Sequence, residues 1–143
     1  MLHDSLKHYL RELEDVVSRL AGVYVERYEE EVLSSKRMNL RLRIRFKSGA
    51  TIEISEAVVV IKESISPLGY RYHFQNLDNH TLFRYDNTPH FPEFETFPHH
   101  KHTQTKVVAS EKPSIREVIE EAGRWENQTP FTGGLSDKAK NIE

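Results

Sequence analysis

The amino-acid sequence predicts an α+β fold, in which a single domain contains a curved antiparallel sheet of five to six strands packed with an N-terminal and a C-terminal helix. Three observations predict this class. Apolar residues at helical spacing occur near the two ends of the chain, period-two alternation fills the middle, and no helix-like segment separates the strands, as a parallel sheet would require. We expect the domain to span residues 1–126, followed by a polar, loosely ordered tail over residues 127–143.

The composition is typical of a globular protein of one domain. The chain has 143 residues, of which 37% are hydrophobic and 29% charged. Cysteine is absent, which excludes disulfides, thiolate metal sites and thiol nucleophiles. The sequence contains neither an apolar run long enough to span a membrane nor a signal-peptide core. We therefore expect a cytoplasmic protein.

The first helix is indicated by apolar residues that recur at steps of three and four from Leu6 to Leu20. Asp4 or Ser5 is expected to cap its start, because a short polar side chain can bind the backbone N–H groups of the first turn. Gly22 is expected to end the helix.

Strand-like segments occupy the middle of the chain. The clearest one alternates apolar residues with arginine over residues 40–46. Residues 47–50 and 77–80 are interpreted as turns, and residues 66–69 are expected to break the chain, because they contain proline and glycine. The other strand-like segments lie, in chain order, at residues 23–32, 51–61, 70–75, 81–85 and 103–109.

A long loop and a second helix complete the prediction. Three prolines exclude regular structure from residues 86–101, so that a loop is expected there. Pro113 precedes a capping box between Ser114 and Glu117, and an apolar stripe follows it at helical spacing.

Residues 70–102 concentrate groups that can carry chemistry. The segment holds eight of the fourteen aromatic residues and six of the eight histidines of the chain. The sequence lacks the motifs typical of phosphate-loop nucleotide hydrolysis, dinucleotide binding, zincin proteolysis and serine hydrolases. The histidine-rich loop is the best candidate for a site, because long loops in compact domains are usually functional or disordered.

Two motifs in this segment resemble the TumE-like toxin family of type II toxin–antitoxin modules. They are Arg-Tyr-Asp-Asn-Thr-Pro-His at residues 84–90 and Phe-Pro-His-His-Lys-His at residues 97–102. The sequence Tyr-Arg-Tyr-His-Phe at residues 70–74 and the first helix are also similar, so that the resemblance covers about residues 4–122.

The resemblance implies a small cytoplasmic toxin of a bacterium or an archaeon, neutralised by a separately encoded helix-turn-helix antitoxin. Most small type II toxins attack RNA, and by that analogy RNA cleavage is expected. RNA and the antitoxin are then the expected partners. Association with a membrane is not expected, and a homo-oligomer is left open.

Taken without the resemblance, the residues of this segment suffice for a metal-independent ribonuclease. That chemistry needs a general base, a general acid and cations around the reacting phosphate. Histidine suits both proton-transfer roles, because its ordinary pKa lies near neutrality. The candidate catalytic residues are His90, His100, His102, Arg84 and Asp86. The candidate substrate-binding residues are Arg71, Tyr72, Tyr85, Asn87 and Lys101, together with Arg41, Arg43 and Arg45 of the arginine-rich strand.

Structural interpretations stay open for several of these residues. Asn87 precedes a proline motif and can serve only to form an Asx turn. Arg84 and Asp86 share one face of a strand and can form a structural ion pair. The arginines of residues 40–46 can form a solvated outer face that is ion-paired to Glu53.

Three functions remain open from the sequence. A metal-independent ribonuclease is favoured, and no cofactor is expected for it. A metal-dependent phosphoesterase would hold a divalent metal with His90, His100 and His102, and Asp86 would add an oxygen ligand. A non-catalytic RNA- or protein-binding module would keep the histidine loop as a structural plug.

Overall fold

Seven strands form one antiparallel sheet in which every strand pairs with the next along the chain. The computed structural model describes residues 1–128. The α+β class is confirmed, and the sheet has seven strands where five to six were expected. Within residues 1–128, no helix is long and apolar enough to cross a membrane. The elements are α1 (Asp4–Ser18), β1 (Val23–Ser34), β2 (Arg37–Phe46), β3 (Thr51–Ile61), β4 (Ser64–Gln75), β5 (Thr81–Asp86), β6 (His100–His102), β7 (Val107–Ala109) and α2 (Ile115–Gln128).

The additional strand arises because residues 100–109 form a hairpin. The sequence predicted one strand over residues 103–109, after a loop that ended at residue 101. In the structure, β6 and β7 contain three residues each. Hydrogen bonds between Thr103 and Lys106 close the turn that joins them. The loop therefore ends earlier than expected, because β6 already pairs with β5.

Strand β4 continues through residues 66–69, where the sequence predicted a break. That prediction is wrong because a register shift in the β3–β4 ladder absorbs the irregular residues. Glu56 pairs with Tyr70, whereas Val58 pairs with Pro67. A bulge of this kind tolerates a proline, which has no N–H group to donate to the ladder.

The two faces of the sheet differ in cover and in polarity. The helices pack over one face, and they bury there the alternate apolar residues of strands β2 to β5. The helical side of this core consists of Leu6, Leu10, Leu13, Ile115, Val118, Ile119 and Ala122. We call the other side the open face. The residues that the strand pairing aligns on it are Arg41, Arg43, Glu53, Ser55, Arg71, His73, Arg84, Asp86, His100 and His102.

Both helices begin at a side-chain cap. His3 caps α1, since its Nδ1 atom accepts a hydrogen bond from the Ser5 N–H over 3.0 Å. The sequence predicted Asp4 or Ser5 instead, because an imidazole acceptor is an uncommon cap. The capping box of α2 is confirmed. Ser114 N–H donates to Glu117 over 2.8 Å, and Glu117 N–H donates to the Ser114 hydroxyl over 3.1 Å.

The first helix ends a few residues before the predicted position. α1 ends at Ser18, and Gly22 lies in the turn before β1 with a φ of 71°. α2 is described as far as Gln128, so residues 127 and 128 of the predicted tail belong to this helix. The other positions of the predicted tail lie outside the described residues.

One carboxylate is buried beneath the helices. Glu56 accepts hydrogen bonds from the hydroxyls of Tyr9 and Tyr72, and the Lys112 ammonium lies 3.3 Å from it. Burial, and then the charge of Glu56, raise the pKa of both tyrosines, so that their hydroxyls remain donors. This cluster connects α1, two strands and the linker before α2.

Candidate functional site

The pairing of β5 with β6 places four predicted site residues side by side. Arg84 is the cross-strand partner of His102, and Asp86 is the partner of His100. Residues two apart on a strand project to the same side, so all four belong to the open face. We call Arg84, Asp86, His100 and His102 the His–Asp–Arg cluster.

Asp86 carries the negative charge of the cluster and is almost buried, with 5% of its side chain exposed. Its Oδ1 atom accepts a hydrogen bond from Thr88 N–H, and its Oδ2 atom accepts one from Arg84 Nε, each over 3.0 Å. Burial raises the pKa of Asp86, but these two hydrogen bonds outweigh it and the net pKa lies below the ordinary value. Asp86 is therefore ionised near neutrality, and its ion pair with Arg84 is part of the fold.

His100 is enclosed behind Asp86, with 1% of its side chain exposed. Its Nδ1–H donates to the Pro98 carbonyl over 2.9 Å. Its Nε2 atom lies 2.9 Å from Asp86 Oδ1 without forming a hydrogen bond. The edge of the Phe91 ring packs against the imidazole. His100 thus packs behind Asp86 and has no surface to offer a substrate.

His102 is the histidine of the cluster that reaches solvent, with 25% of its side chain exposed. Its Nε2 atom lies 3.0 Å from Arg84 Nη2. Because a guanidinium can only donate, Nε2 must hold a lone pair, and the imidazole is neutral. Partial burial lowers the pKa of His102, and the charge of Arg84 lowers it further. The residue is therefore suited to accept a proton near neutral pH.

His90 lies at the surface beside the cluster, in the loop between β5 and β6. Its ring meets the edge of Phe91 with centroids 6.1 Å apart. It is close enough to His102 for its charge to contribute to the lowered pKa of that residue. A second exposed imidazole therefore stands near the proton acceptor, as the acid–base scheme requires.

The cluster also fits part of the expected metal ligand set. One ligand atom from each of Asp86, His100 and His102 lies within 4.8 Å of the others, and His90 is not in this group. Arg84, however, already donates to Asp86 and to the Nε2 lone pair of His102. A cation bound there would displace the guanidinium or be repelled by it, which favours the metal-independent chemistry.

Three of the predicted substrate-binding residues lie on the helix-covered face. Tyr72 is fully buried and donates to Glu56, so its ring cannot stack on an RNA base in this structure. Tyr85 is buried and donates to Glu121 over 2.7 Å. Lys101 pairs with the same carboxylate over 2.6 Å. Their positions follow from strand periodicity, because each is flanked in sequence by residues of the open face.

The arginines of the arginine-rich strand differ in whether they form ion pairs. Arg43 binds Glu26 and Glu53 over 2.9 and 3.0 Å, and Arg45 binds Glu26. Arg43 and Arg45 therefore form the ion-paired outer face that the sequence left open as an alternative to RNA binding. Arg41 is different, since it is exposed and makes no ion pair with any residue in the range 1–128.

Asn87 holds the start of the loop against the bulge of β4. Its side-chain oxygen accepts from Tyr70 N–H over 3.1 Å, and its amide donates to the Leu68 carbonyl over 2.6 Å. Both partners are backbone groups of β4, so Asn87 has a structural role. The sequence predicts that the phenylalanines of this loop anchor it rather than bind a ligand, and Phe91 packs against His100.

Comparison with known proteins gives one family. A family model described as Toxin TumE matches residues 8–129 of the chain. The search of curated proteins found no match. The search of solved structures found no match either.

Proposed function

The chain belongs to the TumE toxin family, and from this premise we propose that it is the toxin of a type II toxin–antitoxin module and cleaves RNA without a metal. A toxin of this kind needs both a biological role and a chemistry. Family membership supports the first, and the His–Asp–Arg cluster supports the second.

The contact between Arg84 and His102 is the observation that carries the chemistry. It combines a neutral imidazole with a permanent positive charge at the surface of the open face. RNA cleavage by its own 2′-hydroxyl needs both, because a base must remove the hydroxyl proton while charge accumulates on the phosphate. Asp86 would stabilise the imidazolium that forms on His102, since its Oδ2 atom lies 3.7 Å from His102 Nε2.

The reaction proceeds by transfer within the RNA. A phosphate that enters the site competes for Arg84 and releases Nε2 of His102. Nε2 then takes the proton of the 2′-hydroxyl, the 2′-oxygen bonds to phosphorus, and the bond from phosphorus to the 5′-oxygen breaks. His90 supplies the proton that the leaving 5′-oxygen requires. The products are a 2′,3′-cyclic phosphate and a free 5′-hydroxyl.

We further propose that the antitoxin is a helix-turn-helix protein that covers the open face. The arginines there favour an acidic or aromatic surface on the partner. Binding confined to α1, whose exposed side carries Asp4, Glu12 and Asp15, would contradict this arrangement. The cytoplasm is the compartment where both RNA and such a partner are found.

The proposal is tested by expressing the chain from a tightly controlled promoter while colony counts and total RNA are followed. The test variant is His102→Ala, and the matched control is His80→Ala, which removes an exposed histidine from the turn between β4 and β5. We expect growth arrest with RNA loss for wild type and the control, and neither for His102→Ala at equal soluble level.

Two other outcomes would redirect the proposal. Arrest by all three proteins with intact RNA would leave a toxin that acts by binding. In an assay with purified protein, RNA cleavage that EDTA prevents would favour the metal-dependent phosphoesterase. The grouping of Asp86, His100 and His102 is the observation that supports this alternative. With purified protein, a 2′,3′-cyclic phosphate product identifies the metal-independent route directly.

A further inference from the structure

A small pocket on the open face is lined by three arginines among its seven residues. It has a volume of about 230 Å³. Three of its charged residues are cationic, namely Arg27, Arg41 and Arg71, and Ser55 lies between the last two. The strand pairing explains this arrangement, because Ser55 is the cross-strand partner of Arg41 on one side and of Arg71 on the other.

The charge of this pocket is only partly neutralised by its neighbours, since Glu29 is the cross-strand partner of Arg41 but forms no ion pair with it. Neither Arg41 nor Arg71 forms an ion pair within the described part of the chain, and both are exposed. The carboxylate of the lining, Glu53, binds Arg43 over 3.0 Å. Arg27 lies 3.8 Å from Glu29, an exposed pair that contributes little. The pocket therefore presents two guanidinium groups and a hydroxyl to an anion.

The pocket is continuous with the His–Asp–Arg cluster on one side. Arg71 is the cross-strand partner of Asp86, so one strand step separates the pocket from the cluster. On the other side lies a larger cavity of about 510 Å³ that also contains Arg41 but is lined by Glu29 and Glu31. The carboxylates of Glu29 and Glu31 repel phosphates there. The positively charged surface therefore extends from the His–Asp–Arg cluster to Arg41 and no further.

We propose that Arg41 and Arg71 bind, over Ser55, a second phosphate of the RNA strand whose reacting phosphate lies at Arg84 and His102. This inference rests on the proposed function. The RNA backbone crosses β5, β4 and β3 roughly at right angles to the strands. Neighbouring strands are about 4.8 Å apart, so the backbones of Arg41 and Arg71 are about 10 Å apart and their long side chains close over Ser55.

The bound RNA is single-stranded in this arrangement. Attack by a 2′-hydroxyl needs its oxygen in line with the leaving 5′-oxygen, and the regular A-form duplex holds the nucleotide away from that geometry. A flexible strand can adopt it while the adjacent phosphate is held. Arg43 and Arg45 take no part, because Glu26 and Glu53 occupy their guanidinium groups.

The test measures binding of a single-stranded oligonucleotide with 2′-O-methyl groups, which cannot be cleaved, by fluorescence anisotropy. The variants are Arg41→Gln and Arg71→Gln, and the matched control is Arg45→Gln, which removes a cation from the same strand as Arg41. We expect each test variant to bind about tenfold more weakly and to lose about 0.7 from the slope of log Kd against log salt. The control stays within about twofold of wild type.

Cleavage kinetics separate this inference from the proposed function. Loss of the second phosphate contact should raise KM and leave kcat unchanged, because that contact is the same before and during reaction. Binding with this pattern but without cleavage by wild type would retain the subsite and reject the ribonuclease. Equal weakening by all three variants, or cleavage with an unchanged KM in Arg41→Gln and Arg71→Gln, would overturn the subsite, as would failure of wild type to bind the oligonucleotide at low salt.

Discussion

The Nη2 atom of Arg84 donates a hydrogen bond to Nε2 of His102 over 3.0 Å, so the lone pair of a neutral imidazole accepts from a permanent cation. The same guanidinium binds Asp86 through Nε. Arg84 thereby fixes the side-chain orientation of His102 and its protonation state together. Both properties are needed in a general base, and both depend on one residue.

Replacing Arg84 with glutamine should raise the pKa of His102. Burial remains in the variant, but the repulsion between the guanidinium and the imidazolium disappears, and Asp86 then favours the protonated ring. A pH titration of the His102 ring signals by NMR measures the change. A pKa that is unchanged or lower in Arg84→Gln would contradict the electrostatic role of Arg84.

The pH dependence of kcat/KM should follow His102. A base is active only when deprotonated, so activity should fall as pH decreases through the pKa of His102. That pKa lies below the ordinary histidine value of 6.5 because of burial and Arg84. The acidic limb of the profile should therefore lie below pH 6.5 in wild type and shift to higher pH in Arg84→Gln. An acidic limb that is the same in both proteins would point to another base.

His100 and His102 should differ in what they contribute to stability. His100→Ala removes a buried ring that touches Phe91, Pro98 and Asp86, and it should lower the free energy of unfolding by about 2–4 kcal/mol. His102→Ala acts at a partly exposed position and should cost about 1 kcal/mol or less. Urea unfolding of both variants provides the comparison. Equal free energies of unfolding for the two variants would show that His100 does not make these buried contacts.

The buried carboxylate of Glu56 should be important for folding. Glu56→Ala leaves the hydroxyls of Tyr9 and Tyr72 and the ammonium of Lys112 without their acceptor, at a cost of about 3 kcal/mol or more. Glu56→Gln should cost less, since an amide oxygen still accepts. Glu53→Gln on the open face of the same strand is the control and should change little. Chemical denaturation measures all three, and a neutral Glu56→Ala would contradict the cluster.

Removal of divalent metal should leave cleavage unchanged. Arg84 already supplies positive charge to Asp86 and His102, so the reaction does not need a metal for that purpose. Activity in EDTA is compared with activity after Mg²⁺, Mn²⁺ or Zn²⁺ is returned. Loss in EDTA with recovery on addition of one of these metals would contradict the role assigned to Arg84.

Periodicity identified most of the sheet and one of its faces. The alternation of arginine with apolar residues over 40–46 specified the strand, its buried side and its charged side, as β2 shows. It did not specify the ion pairs. Glu26 reaches Arg43 and Arg45 from a strand whose own alternation is poor, because β1 has a register shift at Glu26.

Strand periodicity could also have corrected the predicted set of site residues. If His100 and His102 share a face, Lys101 must lie on the other, and Tyr85 faces the same way as its partner Lys101. Glu56 also carried a signal, since it occupies a position where the alternation of β3 expects an apolar residue. The break predicted at residues 66–69 failed for a different reason, because sequence alone does not show which prolines a bulge will accommodate.

The order of the strands has a consequence for the folding pathway. Each pairing joins consecutive strands, so the sheet can grow by successive hairpins, each with a small entropic cost of closure. The longest link between described strands is the loop from β5 to β6, although each doubling of loop length adds only about 0.6 kcal/mol. We infer that the hairpins formed by β1 to β4 precede this step. In a chain emerging from the ribosome, β1 to β4 would then be paired before His102 meets Arg84, so the site would be completed after the first part of the sheet.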